Sequence, residues 1–452
     1  MKKSFIKPIS SVVLLILVTA TILSSLTSCL YIAGSKDEIN SNINQSVNEN
    51  PTERSTVAEY LRDWGMPKFD TIKFSYIESC FIQLYNYGEG LPKTKDHAVA
   101  TANLFIEKYY DTIDHNDKTA VTDALLYCYV EAIGDPYSIY RPPVEADEYE
   151  MDMSGKFGGI GVVVQYNHND ESIMIETVYP NSPGEAAGLK VGDIFYSIDG
   201  KTIAEIGYLN AVYHIRGKIG STVEITVIRG GKYVTVTATR DEIEEINVDY
   251  EIDESNNIGY VQIVAFKKNT AEQFIEAIDA LEEAGVDGII FDLRGNPGGY
   301  VQSVCDVISY LIPTGNLIVS YQYKGRDAVE ILSTDNGTDD HVLDLPFVVI
   351  CDSNTASSGE IFTSAIRDYR NEGLVKATLV GTTTYKKGIM QNTYSYIDNS
   401  TVTLTVAYYN PPCGVNYHGI GVSPDVFVEN TTDEDLQLVV AKNELLKLIS
   451  DN

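Results

Sequence analysis

The sequence has no C-x-x-C pair, and its six cysteines, at positions 29, 80, 128, 305, 351 and 413, follow no regular spacing. The five beyond Cys29 are too scattered, and odd in number, for a disulfide framework, and they read instead as buried thiols. The six histidines (97, 115, 168, 214, 341 and 418) form no close Cys/His group, so neither a metal nor a cofactor is implied. Basic residues are scarce. With 33 Lys and Arg against 64 Asp and Glu, the formal charge is −31, and no basic stripe interrupts it, which argues against nucleic acid or an anionic lipid surface as the main partner. No Gly-x-Ser-x-Gly elbow occurs, and no histidine stands in a setting that suggests a Ser-His-Asp triad.

What is present points to an exported chain of several domains. The 452 residues, 44% hydrophobic, suffice for two or three ordinary cores. Lys2, Lys3 and Lys7 precede the apolar run Val12 to Val18, and small residues follow, an order that reads as a secretory signal over residues 1–28. Its end, Leu26-Thr27-Ser28-Cys29, resembles the bacterial lipobox, which implies cleavage before Cys29, acylation of that thiol and a lipid anchor at the cell envelope. An uncleaved anchor helix is the alternative, although the run is short for a bilayer span of about 20 residues. Residues 29–56, rich in Ser, Asn, Glu and Lys, read as a flexible tether.

Helical spacing, as in Ile72, Phe74, Ile77, Cys80, Phe81 and Leu84, predicts a helical region over 57–150 that ends near Gly134-Asp135-Pro136-Tyr137. Between 151 and 243 the period shortens to two, with strands around Ile160 to Val164, Ile173 to Val178, Val223 to Val227 and Val234 to Ala238. From 244 to 430 strands and helices alternate, which predicts an α/β core, and 431–452 should close the chain as a helix. Terminal helices of this kind could pair two subunits as a homodimer.

The stretch 151–243 resembles a PDZ domain in four ordered places. These are Gly158-Gly159-Ile160-Gly161, the segment Asn181 to Leu189, Val191-Gly192-Asp193-Ile194 with Ile198-Asp199-Gly200, and Ile215-Arg216-Gly217. Glycines in the first leave backbone amides open to a peptide carboxylate, so Gly159, Ile160 and Gly161 are the expected peptide-binding residues, the peptide adding a strand to the sheet edge. Arg216 either senses bound peptide or is an exposed surface charge.

The chemistry gathers at the end of an apolar strand, Pro346 to Cys351, which runs through Asp352 to Gly359 into a helix. Hydroxyls at a strand-to-helix turn lie beside free amides that can stabilise an oxyanion, although this segment alone favours the plainer reading that they only cap the helix. A serine nucleophile needs a base, and Lys386 and Lys387 follow the next strand. A lysine serves only when neutral, which calls for burial, because adjacent residues on an extended chain do not both point inward to repel each other.

Together these segments resemble the carboxyl-terminal processing (tail-specific) serine peptidases over about residues 70–430. The resemblance rests on Gly134 to Tyr137, the PDZ series, Phe291-Asp292-Leu293-Arg294-Gly295-Asn296-Pro297-Gly298-Gly299, and the pair Ser357 and Lys387. It implies a multidomain α/β (α+β) protein with an N-terminal helical region, a PDZ-like β-rich module and a crotonase-like ββα peptidase core. It also implies a serine endopeptidase acting on exported protein or peptide substrates, with Glu360 setting the register that makes Ser357 the nucleophile, Lys387 the base and Gln391 its orienting partner. Gly298 or Gly299, with the amide of Ser358, would form the oxyanion hole. Two positions depart from the family pattern. Ser358 and Gly359 replace Ala-Ser, making Ser358 a rival nucleophile, and Lys386 replaces a glycine. The competing reading is an inactive PDZ scaffold that binds peptides without cutting them.

Overall fold

The computed structural model describes residues 34–48, 54–167, 172–335, 341–431 and 434–451. The expected signal segment and Cys29 therefore lie outside the described residues. None of the helices described is long and apolar enough to cross a membrane.

Five helices open the chain: Lys36–Asn48, Val57–Asp63, Thr71–Leu84, Thr94–Lys108 and Lys118–Glu131. Two begin on aspartate caps. Asp70 accepts from the amides of Ile72 and Lys73, and Asp117 accepts from those of Thr119 and Ala120, satisfying amides that the helix cannot. The first helix corrects the tether reading for residues 36–48. Composition hid Ile39 and Ile43, one turn apart on one face, and both are buried against the helices that follow. The apolar faces of all five helices merge into one cluster with the interior of the later α/β region, so the helical part does not stand apart.

Residues 156–244 form a separate small body. Strands Val162–Asn167, Ser172–Val178, Ile194–Ile198, Thr222–Arg229 and Lys232–Thr239 neighbour each other in that order, with the helix Ile203–Ile215 over a core of their own. Its two ends are tied by the antiparallel pair Lys156–Gly159 and Asp241–Glu244.

The α/β region carries a six-stranded sheet ordered Val248–Asp253, Ile258–Ile263, Gly288–Asp292, Phe347–Cys351, Ala377–Gly381, Val426–Phe427, parallel except for the first pair. Alternation decides its two faces. Ile289, Phe291, Phe347 and Val349 join the large core with helices Thr270–Ala284 and Ser358–Asn371, whereas Ile290, Val348 and Ile350 pack on Ala441 and Leu445 of the closing helix Leu436–Ser450. A second, antiparallel sheet is built around the long strand Thr401–Asn410, which pairs with Ile139–Arg141, Leu317–Tyr323 and Ile389–Ser395. The architecture is the multidomain α/β arrangement that the sequence implied. Of the five described cysteines four are buried; Cys413, in the loop after the long strand, is exposed and departs from the buried-thiol reading.

Candidate active site

The strand Phe347–Cys351 is wholly buried and delivers the chain to a turn that is sewn onto its neighbour. Asp352 Oδ1 accepts from the amides of Gly295, Asn354 and Thr355, Thr355 Oγ1 donates to the carbonyl of Leu293 at 2.8 Å, and the amide of Ala356 donates to that of Asn296 at 2.9 Å. The next residue, Ser357, has φ +54° and ψ −114°, a conformation that costs a side-chain-bearing residue about 1–3 kcal/mol and persists only when its surroundings impose it. The helix Ser358–Asn371 starts there.

What imposes it is Glu360. This carboxylate is fully buried and accepts four hydrogen bonds: Oε2 accepts from the amides of Ser357 at 3.1 Å and Lys387 at 2.7 Å, and Oε1 from the amide of Lys386 at 2.7 Å and Thr384 Oγ1 at 2.6 Å. Burial pushes its pKa up, and the four donors pull it back. The sequence used Glu360 only to fix register; its position three residues after a helix-capping serine was the signal that it reaches backwards.

Lys386 and Lys387 diverge. Lys386 is exposed, with φ +86°, the left-handed conformation that suits the glycine expected at this place. Lys387 is half-buried, and its Nζ stands 4.8 Å from the ring centroid of Tyr137. Burial lowers its pKa from the ordinary lysine range, while the charges of Asp135 and Glu360 oppose that shift. Ser357, Lys387 and Gln391 line one cleft of about 990 Å³, together with Gly299, Tyr321, Tyr323 and Tyr409. Gln391 Nε2 donates to Thr405 Oγ1 at 3.2 Å, and that hydroxyl donates to Asp135 Oδ2 at 2.9 Å. Asp135 and Tyr137 thus belong to the surroundings of Lys387, a part that the sequence marked as a motif without giving it work.

The glycine turn needs one correction. The amide of Gly298 donates to Asn296 Oδ1 at 2.8 Å and is not open to a substrate. Among the described residues the amides of Gly299 and Ser358 have no protein acceptor. A Cβ at Gly298 would lie 2.7 Å from that of Ser357, and one at Gly299 would lie 2.1 Å from the carbonyl oxygen of Phe266, so the turn is pressed against the serine segment. Ser358 turns its hydroxyl away, to the carbonyl of Gly299 at 2.9 Å, and is fully buried. His418 accepts the amide of Gly388 at Nδ1 and packs edge-on against Tyr87 and Tyr408.

The other expected site is a groove of about 340 Å³ along the strand Val162–Asn167, walled by Gly159, Ile160, Gly161, Ile215 and Arg216. The amides of Ile160 and Gly161 have no acceptor among the described residues. Arg216 is half-buried, and its guanidinium lies 4.1 Å from the ring centroid of Phe157.

Comparison with known proteins matches both of these regions of the chain. A family model described as peptidase family S41 matches residues 257–428, and a PDZ domain model matches residues 158–239. The carboxy-terminal processing protease CtpA of Bacillus subtilis is 34% identical over 322 residues, 71% of this chain and 66% of that protein. A probable CtpA-like serine protease of Staphylococcus epidermidis is 31% identical over 339 residues, 74% of this chain and 67% of its own. The chain thus spans about two thirds of the length of the curated relatives it matches. Among solved structures, the photosystem II D1 C-terminal processing protease is 23% identical, with a TM-score of 0.46, over 79% of this chain and 92% of that one. On the identity and coverage of these relatives, the chain belongs to the carboxy-terminal processing serine proteases of peptidase family S41 that carry a PDZ domain.

Proposed function

We propose that the chain is a serine endopeptidase in which Ser357 is the nucleophile and Lys387 the general base, acting on protein tails or apolar segments captured by the PDZ module (151–243) and passed to the core (244–430). The observation that carries the reading is the convergence of the Ser357 and Lys387 amides on one oxygen of Glu360, with both side chains on one cleft. Neutral Lys387 takes the proton from Ser357 Oγ as that oxygen attacks the scissile carbonyl. The amides of Gly299 and Ser358 then face the oxyanion. Lys387 returns the proton to the leaving amine, and, neutral again, it activates the water that hydrolyses the ester. Gln391 orients the base. Glycine and amide positions at Gly159, Ile160 and Gly161 receive the substrate carboxylate, and Arg216, stacked on Phe157, senses it.

The reading includes an envelope location through a lipid on Cys29, and pairing of subunits through the terminal helices, on which Val47, Val439 and Leu446 remain exposed. Its test is hydrolysis of an unfolded protein by the wild type and by Ser357→Ala. Cleavage confined to the wild type supports it. Equal cleavage by both disposes of it, and peptide binding without any turnover by the wild type would favour the inactive scaffold.

A further inference from the structure

The motif Gly134 to Tyr137 is not used by the chemistry above, yet it lies against the base. Helix Lys118–Glu131 ends, Gly134 turns the chain at φ +76°, and Asp135 is buried. The carboxylate of Asp135 ties the loop to itself and to the second sheet. Its Oδ1 accepts the amide of Tyr137 at 2.9 Å, and its Oδ2 accepts the hydroxyls of Ser138 at 2.6 Å and Thr405 at 2.9 Å. Tyr137 is thereby presented with its ring toward Lys387 Nζ, 4.8 Å from the centroid. Tyr87 packs edge-on to that ring at 6.0 Å and to His418 at 5.8 Å. Tyr137 is not among the residues that line the cleft holding Ser357.

We propose that Tyr137 is a positioning residue for Lys387: its ring seats the amine, walls it from water and leaves it at the cleft beside Ser357. The inference rests on Lys387 being the base. Two effects of the ring oppose each other. Its face attracts a cation, which favours the charged amine, and its bulk excludes water, which favours the neutral one. Exclusion of water is the stronger, because the attraction to one ring is small beside the cost of desolvating an ammonium ion. The titratable groups facing the amine are Asp135 from the loop, Glu360 from the helix Ser358–Asn371 and His418 from the segment before Val426. Tyr137→Phe removes only the phenol that Tyr385, Tyr87, Asp135 and Glu360 also face, and Tyr137→Leu removes the ring as well, so a midpoint displaced in the leucine variant alone reports on the ring.

The experiment is the pH dependence of kcat/KM for an unfolded tail-bearing protein, with the full chain as wild type, Tyr137→Phe and Tyr137→Leu. The phenylalanine keeps the ring and should stay within about twofold of the wild type at every pH, with the same midpoint. The leucine should cut the rate at neutral pH by about tenfold or more and move the midpoint to more alkaline pH, with recovery at the high end. Tyr137 is half-exposed, so leucine should fold; if its thermal transition is lost, Tyr137→Met takes its place. An unmoved midpoint in the leucine or methionine variant overturns the inference while leaving a Ser357-dependent wild type intact. A wild type whose cleavage ignores Ser357 and Lys387 defeats the dyad, and this inference with it.

Discussion

Ser357 and Lys387, thirty positions apart in the chain, donate their main-chain amides to the same oxygen, Oε2 of Glu360, at 3.1 and 2.7 Å. One buried carboxylate therefore sets where the nucleophile candidate and the base candidate start, and it holds the strained turn at Ser357.

Glu360→Gln is expected to cost about 2–5 kcal/mol of stability, because an amide NH₂ would face two of the four donors and leave them buried without an acceptor. Chemical denaturation measures the loss. Proteolytic activity should fall by more than the folded fraction does, since the turn at Ser357 is no longer imposed.

Ser358→Ala separates the two candidate nucleophiles. It removes one hydrogen bond, to the carbonyl of Gly299, and should destabilise by about 1–2 kcal/mol while cleavage stays within a few-fold of the wild type. Gly299→Ala should instead abolish cleavage, because its Cβ would meet the Phe266 carbonyl and displace an oxyanion donor, a loss of about a hundredfold or more. Assays of both variants at equal folded concentration decide the matter.

Lys386→Gly should be nearly silent. A lysine at φ +86° is strained by about 1 kcal/mol, and glycine relieves that while adding freedom to the unfolded chain, so the net change in stability stays below about 1 kcal/mol. Cleavage within about twofold of the wild type is the expected kinetic result, as the exposed Lys386 side chain has no part in the proton transfer. A large loss would point to the wrong lysine.

Local patterns made much of this molecule legible. Five apolar residues in Phe347–Cys351, followed by hydroxyls and a glutamate, announced a buried strand feeding a helix, and period-two alternation marked the small β-rich body. The second sheet was harder to read, since Val329–Leu332 is a mostly exposed edge strand whose burial does not alternate cleanly. Composition misled at Lys36–Asn48, where two isoleucines among polar residues were enough to dock a helix. The glycine pair could not be resolved by sequence, because only the side chain of Asn296 decides which amide is already engaged. Asp135 meets Thr405 across 270 positions, and no spacing rule reaches that far.

The most direct measurement is the pH–rate profile of cleavage by the wild type beside Lys387→Arg. Burial holds Lys387 below lysine's ordinary value of about 10.4, so more of it is neutral at a given pH, and the wild-type rate should climb with pH to a midpoint below that value. Arginine keeps the charge and cannot give up its proton, so Lys387→Arg should stay inactive throughout. A folded Lys387→Arg that cleaves at a rate comparable to the wild type would contradict the account.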